Sequence, residues 1–231
     1  MPLFSSAEIR GIVFDLDGTL YVCDRFAAEI QNAAAAYIVR VRGITPGEAG
    51  ELMAATRQRL VEESGTVQTL SAVCVELGGD VRELHRHFER TLRPEAYLVR
   101  DERVIRLLEG LAGKFSLYIY TNNNRVLTTR IMDYLGLDGV ARGIFTIDDS
   151  WRGKPDEGMV KKVLEEVGFS PDETLFVGDR YDVDLRVPEQ LGCPVYLSQN
   201  LEQLLRLENL LTSPFPADRS AAPACPPAVR S

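Results

Sequence analysis

Two aspartates separated by one residue, Asp15 and Asp17, close a short apolar run and open onto Gly18. The run, Ile9 to Phe14, is rich in branched residues and bounded by polar and Gly positions, which predicts a buried parallel strand. In open α/β sheets the carboxyl end of a strand is where ligands bind. Two acids buried at that edge need a compensating cation or a proton. Such a pair suits phosphoryl transfer. One Asp attacks phosphorus, as in enzymes that form an aspartyl-phosphate, while the other protonates the leaving group and later deprotonates water. A calcium loop beginning at Asp15 would need an acid at position 19 and a bidentate Glu at 26, where the chain has Thr19 and Phe26. A strand ending in a solvated acidic turn is the plain alternative.

A strand that carries such a pair needs a sheet around it. From Asp101 onward helix and strand alternate: a helix over 101–113, a strand from Phe115 to Tyr120 and a helix over 125–135. A strand from Gly143 to Ile147, a helix over 157–167 and a strand from Thr174 to Val177 follow. A helix over 184–191 containing Pro188, a strand from Pro194 to Leu197 and a helix over 201–211 complete the series. That alternation predicts an α/β domain with a parallel sheet covered on both faces. Between the first strand and Arg100 the apolar spacing is helical throughout, with a capping box at Thr45-Pro46-Gly47-Glu48 and a second helix start at Asp80 with Glu83. Four short amphipathic helices in succession predict a small bundle, since none can bury its stripe alone.

Composition narrows the setting. A net charge of −8 argues against a surface that tracks nucleic-acid phosphates. It also requires local cations to draw in an anionic substrate. The four cysteines, Cys23, Cys74, Cys193 and Cys225, are scattered without a CxxC pair, as in reduced intracellular proteins. No apolar run approaches the roughly 18 residues a membrane span needs, and no signal-peptide pattern opens the chain. The expectation is therefore a cytoplasmic protein without membrane or nucleic-acid partners. Residues 213–231, rich in Pro, Ser and Ala, are expected to form a disordered tail.

Asp15-Leu16-Asp17-Gly18-Thr19 resembles the first motif of the haloacid dehalogenase superfamily, and three later motifs follow in that family's order. They are Thr121 in Tyr-Thr-Asn-Asn-Asn, Lys154 in Gly-Lys-Pro, and Asp179 in Val-Gly-Asp-Arg-Tyr-Asp-Val-Asp. The resemblance spans residues 8 to 211 and is nearest in type to pyrimidine 5′-nucleotidase-like hydrolases. It implies a Rossmann-like sheet of five strands in the order 5-4-1-2-3, with a helical cap inserted over the strand ends. The core would comprise residues 1–21 and 99–212, and the cap residues 22–98. It further implies Asp15 as nucleophile, Asp17 as general acid and base, and Lys154 as a cation beside Asp15 and the phosphoryl oxygens. Thr121 and the Asn122 amide, with the amides of Leu16 and Asp17, would bind those oxygens. Mg²⁺ would be held by Asp15, Asp179 and the Asp17 carbonyl.

The spacing after Asp179 offers two further acids. Asp184 fits GDxxxxD and is favoured as the outer acid that reaches the ion through water, with Asp182 the lesser candidate; Arg180 stands where many relatives carry Ser. The expected substrate is a small phosphorylated metabolite, first a nucleoside monophosphate, then a sugar phosphate or phosphoglycolate, acted on by a monomer or weak homodimer. A phosphoglucomutase-type transferase, a 2-haloacid dehalogenase and a non-enzymatic binding module remain alternatives, although Asp17 counts against dehalogenation because halide release needs no proton. Asp148 and Asp149 are expected in solvent or at a helix cap, His85 and His87 at the surface, Cys23 as a packed small residue, and Tyr21 and Trp151 at the entrance. Arg25, Arg57, Thr66 and Gln68 are the candidate specificity residues.

Overall fold

The structure is a computed structural model that describes residues 9–212; the expected tail lies outside the described residues. Five strands, Gly11–Phe14 (β1), Ser116–Tyr120 (β2), Gly143–Phe145 (β3), Thr174–Gly178 (β4) and Val195–Leu197 (β5), form one parallel sheet in the order β3-β2-β1-β4-β5. This is the expected order read from the other edge. β1 lies at the centre, pairing Phe14 with Ile119 on one side and with Val177 on the other. The chain leaves β1 to build one half of the sheet and crosses back to build the other, so a topological switch point falls at β1.

The two-residue period of a strand sorts side chains onto the two faces. Ile12 and Phe14 join Leu117, Ile119, Leu175 and Val177 in one buried cluster, whereas Val13 joins Tyr118, Phe145 and Phe176 in the other. The first face is covered by helices Glu102–Ala112 and Arg125–Leu135, which bury Leu108, Leu111, Leu127 and Ile131 there. The second is covered by helix Glu157–Val167, through Met159, Val160 and Val163.

Between β1 and β2 lie four helices: Asp24–Arg42 (α1), Pro46–Ser64 (α2), Leu70–Glu76 (α3) and Val81–Thr91 (α4). They pack on one another, and the Thr45–Glu48 capping box forms as the sequence predicts, with both reciprocal bonds present. In chain order the three helices already described on the sheet faces are α5, α6 and α7; Arg186–Gln190 (α8), Leu201–Leu205 (α9) and Leu207–Thr212 (α10) complete the set. An apolar cluster runs without interruption from Phe26, Tyr37, Leu84 and Phe88 of the insert to Leu108 and Ile131 beneath the sheet.

Several boundaries differ from expectation. β3 ends at Phe145, because Thr146 begins a capped turn in which its hydroxyl and amide both meet Asp149. The expected last helix breaks at Arg206 into α9 and α10. Residues 181–185 form a wide π-type turn ahead of α8, whose Pro188 sits in the first turn, where a missing N–H costs little.

Cys23, Cys74 and Cys193 are unpaired, and burial pushes the Cys74 and Cys193 thiols up to about 12. No described helix is long and apolar enough to cross a membrane. The fully buried Leu108 lies in the cluster that joins insert to sheet, so Leu108→Ala should destabilise the protein by about 2–5 kcal/mol in urea unfolding. A loss below about 1 kcal/mol would show that this cluster is not a packed core.

Candidate active site

Three strands deliver functional side chains to one edge. Asp15 follows β1, Thr121 follows β2 and Asp179 follows β4; because these strands are direct neighbours, their carboxyl ends converge. The Asp15 amide donates to the Val177 carbonyl at 2.8 Å, which continues the ladder one step past β1 and fixes where the first carboxylate emerges. Gly18 follows with φ +88°, and a Cβ there would meet Asp179 Oδ2 at 2.5 Å, so only glycine lets the turn pass so close to the β4 acid. At Gly178 a Cβ would fall 2.5 Å from that of Asp184.

Lys154 arrives from the loop between β3 and α7. Its amide donates to Asn122 Oδ1 at 2.7 Å, and its ammonium donates to the Tyr120 carbonyl at 2.9 Å, so the end of β2 holds this residue at both extremities. The ammonium also donates to Asp15 Oδ1 at 2.5 Å and to Asp184 Oδ1 at 2.7 Å. All three side chains are almost fully buried, and the ammonium is held well above its usual pKa by the two carboxylates. Asp15 Oδ2 accepts from Thr19 at 3.3 Å, and Asp184 Oδ2 from the Arg180 amide at 3.1 Å.

Charge is unbalanced at this edge. Asp15, Asp17, Asp179 and Asp184 face Lys154 and the guanidinium of Arg180, which lies 3.6 Å from Asp179. Desolvation is the main cause that raises Asp15 to about 7; the Lys154 charge opposes it, and the negative charges of Asp184 and Asp17 add to it. Asp179 is raised to about 6, again chiefly by burial. Carboxylate oxygens of Asp15, Asp179 and Asp184 lie within 4.8 Å of one another, and Asp179 Oδ1 is buried with no hydrogen-bond partner. An all-oxygen donor set, an excess of negative charge and a buried carboxylate oxygen that accepts no hydrogen bond fit a hard divalent cation such as Mg²⁺.

Asp17 stands apart from that cluster. Its carboxylate accepts from Tyr21 Oη, from Thr121 Oγ1 at 3.2 Å and from Asn123 Nδ2 at 2.8 Å. Three donors lock one rotamer, leaving a carboxyl group aimed and separate from the Lys154 pair. Tyr21 is thus buried on Asp17 and not merely at the entrance, and Asn123 is a site residue that the sequence reading passed over. Its signal was faint: the second of three consecutive Asn, two positions past Thr121. Asn122 accepts from the Lys154 amide, and Asn124 caps α6.

The model of the haloacid dehalogenase-like hydrolases matches residues 9–192. The chain belongs to that family. The haloacid dehalogenase-like fold is also seen in a phosphatase of this kind from Thermococcus onnurineus, with a TM-score of 0.60 at 20% identity over 88% of this chain and 98% of that one. The chain is 24% identical to a glyceraldehyde 3-phosphate phosphatase of Methanocaldococcus jannaschii, over 80% of this chain and 82% of that protein. It is 34% identical to a phosphoglycolate phosphatase of Aquifex aeolicus, over 39% of this chain and 43% of that protein.

The remaining expectations resolve individually. Asp182 reaches toward Arg186 at 3.9 Å, while Asp184 joins the cluster. Asp148 accepts from the Arg125 amide at the start of α6, and Asp149 closes the turn at Thr146, so both are caps. Arg25 lies over the Tyr97 ring and Arg57 donates to Gln31, within the insert, whereas Thr66 and Gln68 line a cleft beside Lys154. His85 corrects the surface expectation: it is 2% exposed, its Nε2 within 3.2 Å of Ser71 Oγ and its ring edge-on to Phe88 and Trp151. Burial holds it down to about 4. His87 is half-buried near Tyr37.

The raised acids have a measurable consequence. A folded protein whose acids titrate high holds protons that the unfolded chain has already released, so the contribution of Asp15 and Asp179 to metal-free stability falls as pH rises from about 4 through about 7. A cation must displace those protons, so its stabilising effect grows over the same window. The Tm increment given by a fixed magnesium concentration over EDTA should therefore rise from about pH 5 to about pH 7.5 and then level off. His85 titrates alike with and without the ion and drops out of that comparison. An increment independent of pH would contradict the assignment.

Proposed function

We propose that this haloacid dehalogenase-like hydrolase is a Mg²⁺-dependent phosphatase that cleaves small phosphomonoesters through an aspartyl-phosphate on Asp15. The observation that carries the reading is the division of labour between two carboxylates on one strand end. Asp15 is bonded to the Lys154 ammonium, and Asp17 is held by three neutral donors away from it. Asp15 attacks phosphorus as the ester oxygen leaves. Asp17 gives that oxygen its proton and then takes one from the water that cleaves the acyl phosphate. Lys154 supplies a point cation for the phosphoryl oxygens, and Thr121 with the Asn122 amide supplies hydrogen-bonding groups. Asp15, Asp179 and the Asp17 carbonyl would hold the Mg²⁺, with Asp184 behind them. The ion would neutralise the approach of a carboxylate to an anionic phosphoryl group.

The helical insert α1–α4 is proposed as a cap that closes over Asp15, with the division at about residues 22 and 98. Support for a phosphomonoester over a haloacid comes from Asp17, which halide release does not need, and from the phosphatase names of the two curated relatives. Asp15→Asn and Lys154→Ala should each lower kcat at least ~10³-fold on a phosphomonoester panel with Mg²⁺, with Asp15→Asn retaining the wild-type far-ultraviolet spectrum. EDTA should abolish wild-type turnover. Full activity in Asp15→Asn or in EDTA refutes the mechanism.

A further inference from the structure

Lys154 brings positive charge to Asp15 but has no donor left over. An ammonium carries three N–H groups, and here they go to Asp15 Oδ1, Asp184 Oδ1 and the Tyr120 carbonyl. A phosphoryl group entering the site would feel that charge without gaining a hydrogen bond from it. The other cation at this edge is in the opposite condition. Arg180 follows Asp179 directly after β4, and its backbone is fixed. The amide donates to Asp184 Oδ2 at 3.1 Å, and the carbonyl accepts from the amides of Val183 at 3.2 Å and Asp184 at 2.8 Å. The guanidinium Nε lies 3.6 Å from Asp179 Oδ1 and 3.9 Å from Asp184 Oδ2, near enough to feel both charges and too far to hydrogen-bond either.

Among the described residues, none accepts a hydrogen bond from the Arg180 side chain, so its five N–H groups stand unfilled beside the clustered carboxylates of Asp15, Asp179 and Asp184. Exposure decides what can fill them. The Arg180 side chain is 45% exposed, against 2% for Lys154, so a ligand arriving from solvent can reach the first cation and not the second. The charge of Arg180 still belongs to the site: partial burial works against it, yet the negative charges of Asp184, Asp15, Asp179 and Asp17 prevail and hold its pKa above the usual value. A planar guanidinium also matches two oxygens of a phosphoryl group at once, which an ammonium does not.

We infer that Arg180 donates its fork of N–H groups to oxygens of the phosphoryl group that Asp15 attacks, so that two cations divide the work. Lys154 holds Asp15 and Asp184 in place, and Arg180 binds the anion. The inference rests on the phosphatase reading for the identity of that anion, so binding and turnover are measured separately. The plain alternative is that Arg180 only offsets the charge of Asp179 and Asp184. The two differ in what depends on the guanidinium: a phosphoryl ligand governs affinity for phosphate through its geometry, whereas a counter-ion acts through its charge alone and opposes a metal ion.

Calorimetry with inorganic phosphate as the probe, at Mg²⁺ saturating for each protein, compares wild type with Arg180→Gln and Arg180→Lys. Arg180→Gln should weaken phosphate at least ~10-fold, and Arg180→Lys, which keeps the charge and loses the fork, should recover only part of that loss. Mg²⁺ titrated without phosphate should bind Arg180→Gln as tightly as wild type or tighter, because a positive neighbour of Asp179 is gone. On a phosphomonoester, kcat/KM of Arg180→Gln should fall at least ~10-fold. Wild-type phosphate affinity in either variant overturns the inference, as does a wild type that binds no phosphate with Mg²⁺ present. Should Arg180→Gln fail to fold, Arg180→Lys alone decides. Phosphate weakened by both substitutions, with no ester turned over by wild type, would sink the phosphatase reading and leave the anion assignment standing.

Discussion

A buried ammonium shared between two buried carboxylates organises this molecule. Lys154 sits 2.5 Å from Asp15 and 2.7 Å from Asp184, and the three side chains come from chain segments that only the sheet brings together. Burying one such charge alone would cost several kcal/mol, and removing the lysine leaves two buried acids with that penalty uncompensated. The pair therefore exists only while β1, β2 and β4 are in register, since β2 anchors the lysine and β4 leads into the turn that carries Asp184. Fold and site are coupled through this contact.

The same contact leaves negative charge over. One cation between Asp15 and Asp184, with Arg180 near Asp179, does not balance four acids. Burial then raises Asp15 and Asp179, and Asp179 Oδ1 has the Arg180 guanidinium at 3.6 Å but no hydrogen-bond donor. A site in this condition favours whatever brings further positive charge, and under the proposed mechanism that charge would free the Asp15 carboxylate to act as a nucleophile. Asp17 avoids the competition because Tyr21, Thr121 and Asn123 hold it to one side.

Much of this could be read from the chain because local chemistry decided it. Strand ends are marked by apolar runs that stop at Asp15, Thr121 and Asp179. Helix starts are marked by side chains that meet their own backbone, as at Thr45 and Asp80. What escaped depended on contacts between distant segments. His85 sits on a helix rich in charge, and its burial comes from Ser71, Phe88 and Trp151. The hydroxyl of Tyr21 and the amide of Asn123 acquire a role only when the turns after β1 and β2 face each other. The break at Arg206 and the early end of β3 reflect local turns that apolar periodicity does not register.

The most direct measurement is to quench the enzyme in acid within its first turnover of a phosphomonoester and map the mass of its peptides. One added phosphoryl group is expected on the peptide that carries Asp15, retained longer when Asp17 is replaced by Asn. A reacting enzyme with no phosphoryl group on that peptide, or with the group on another residue, would contradict it.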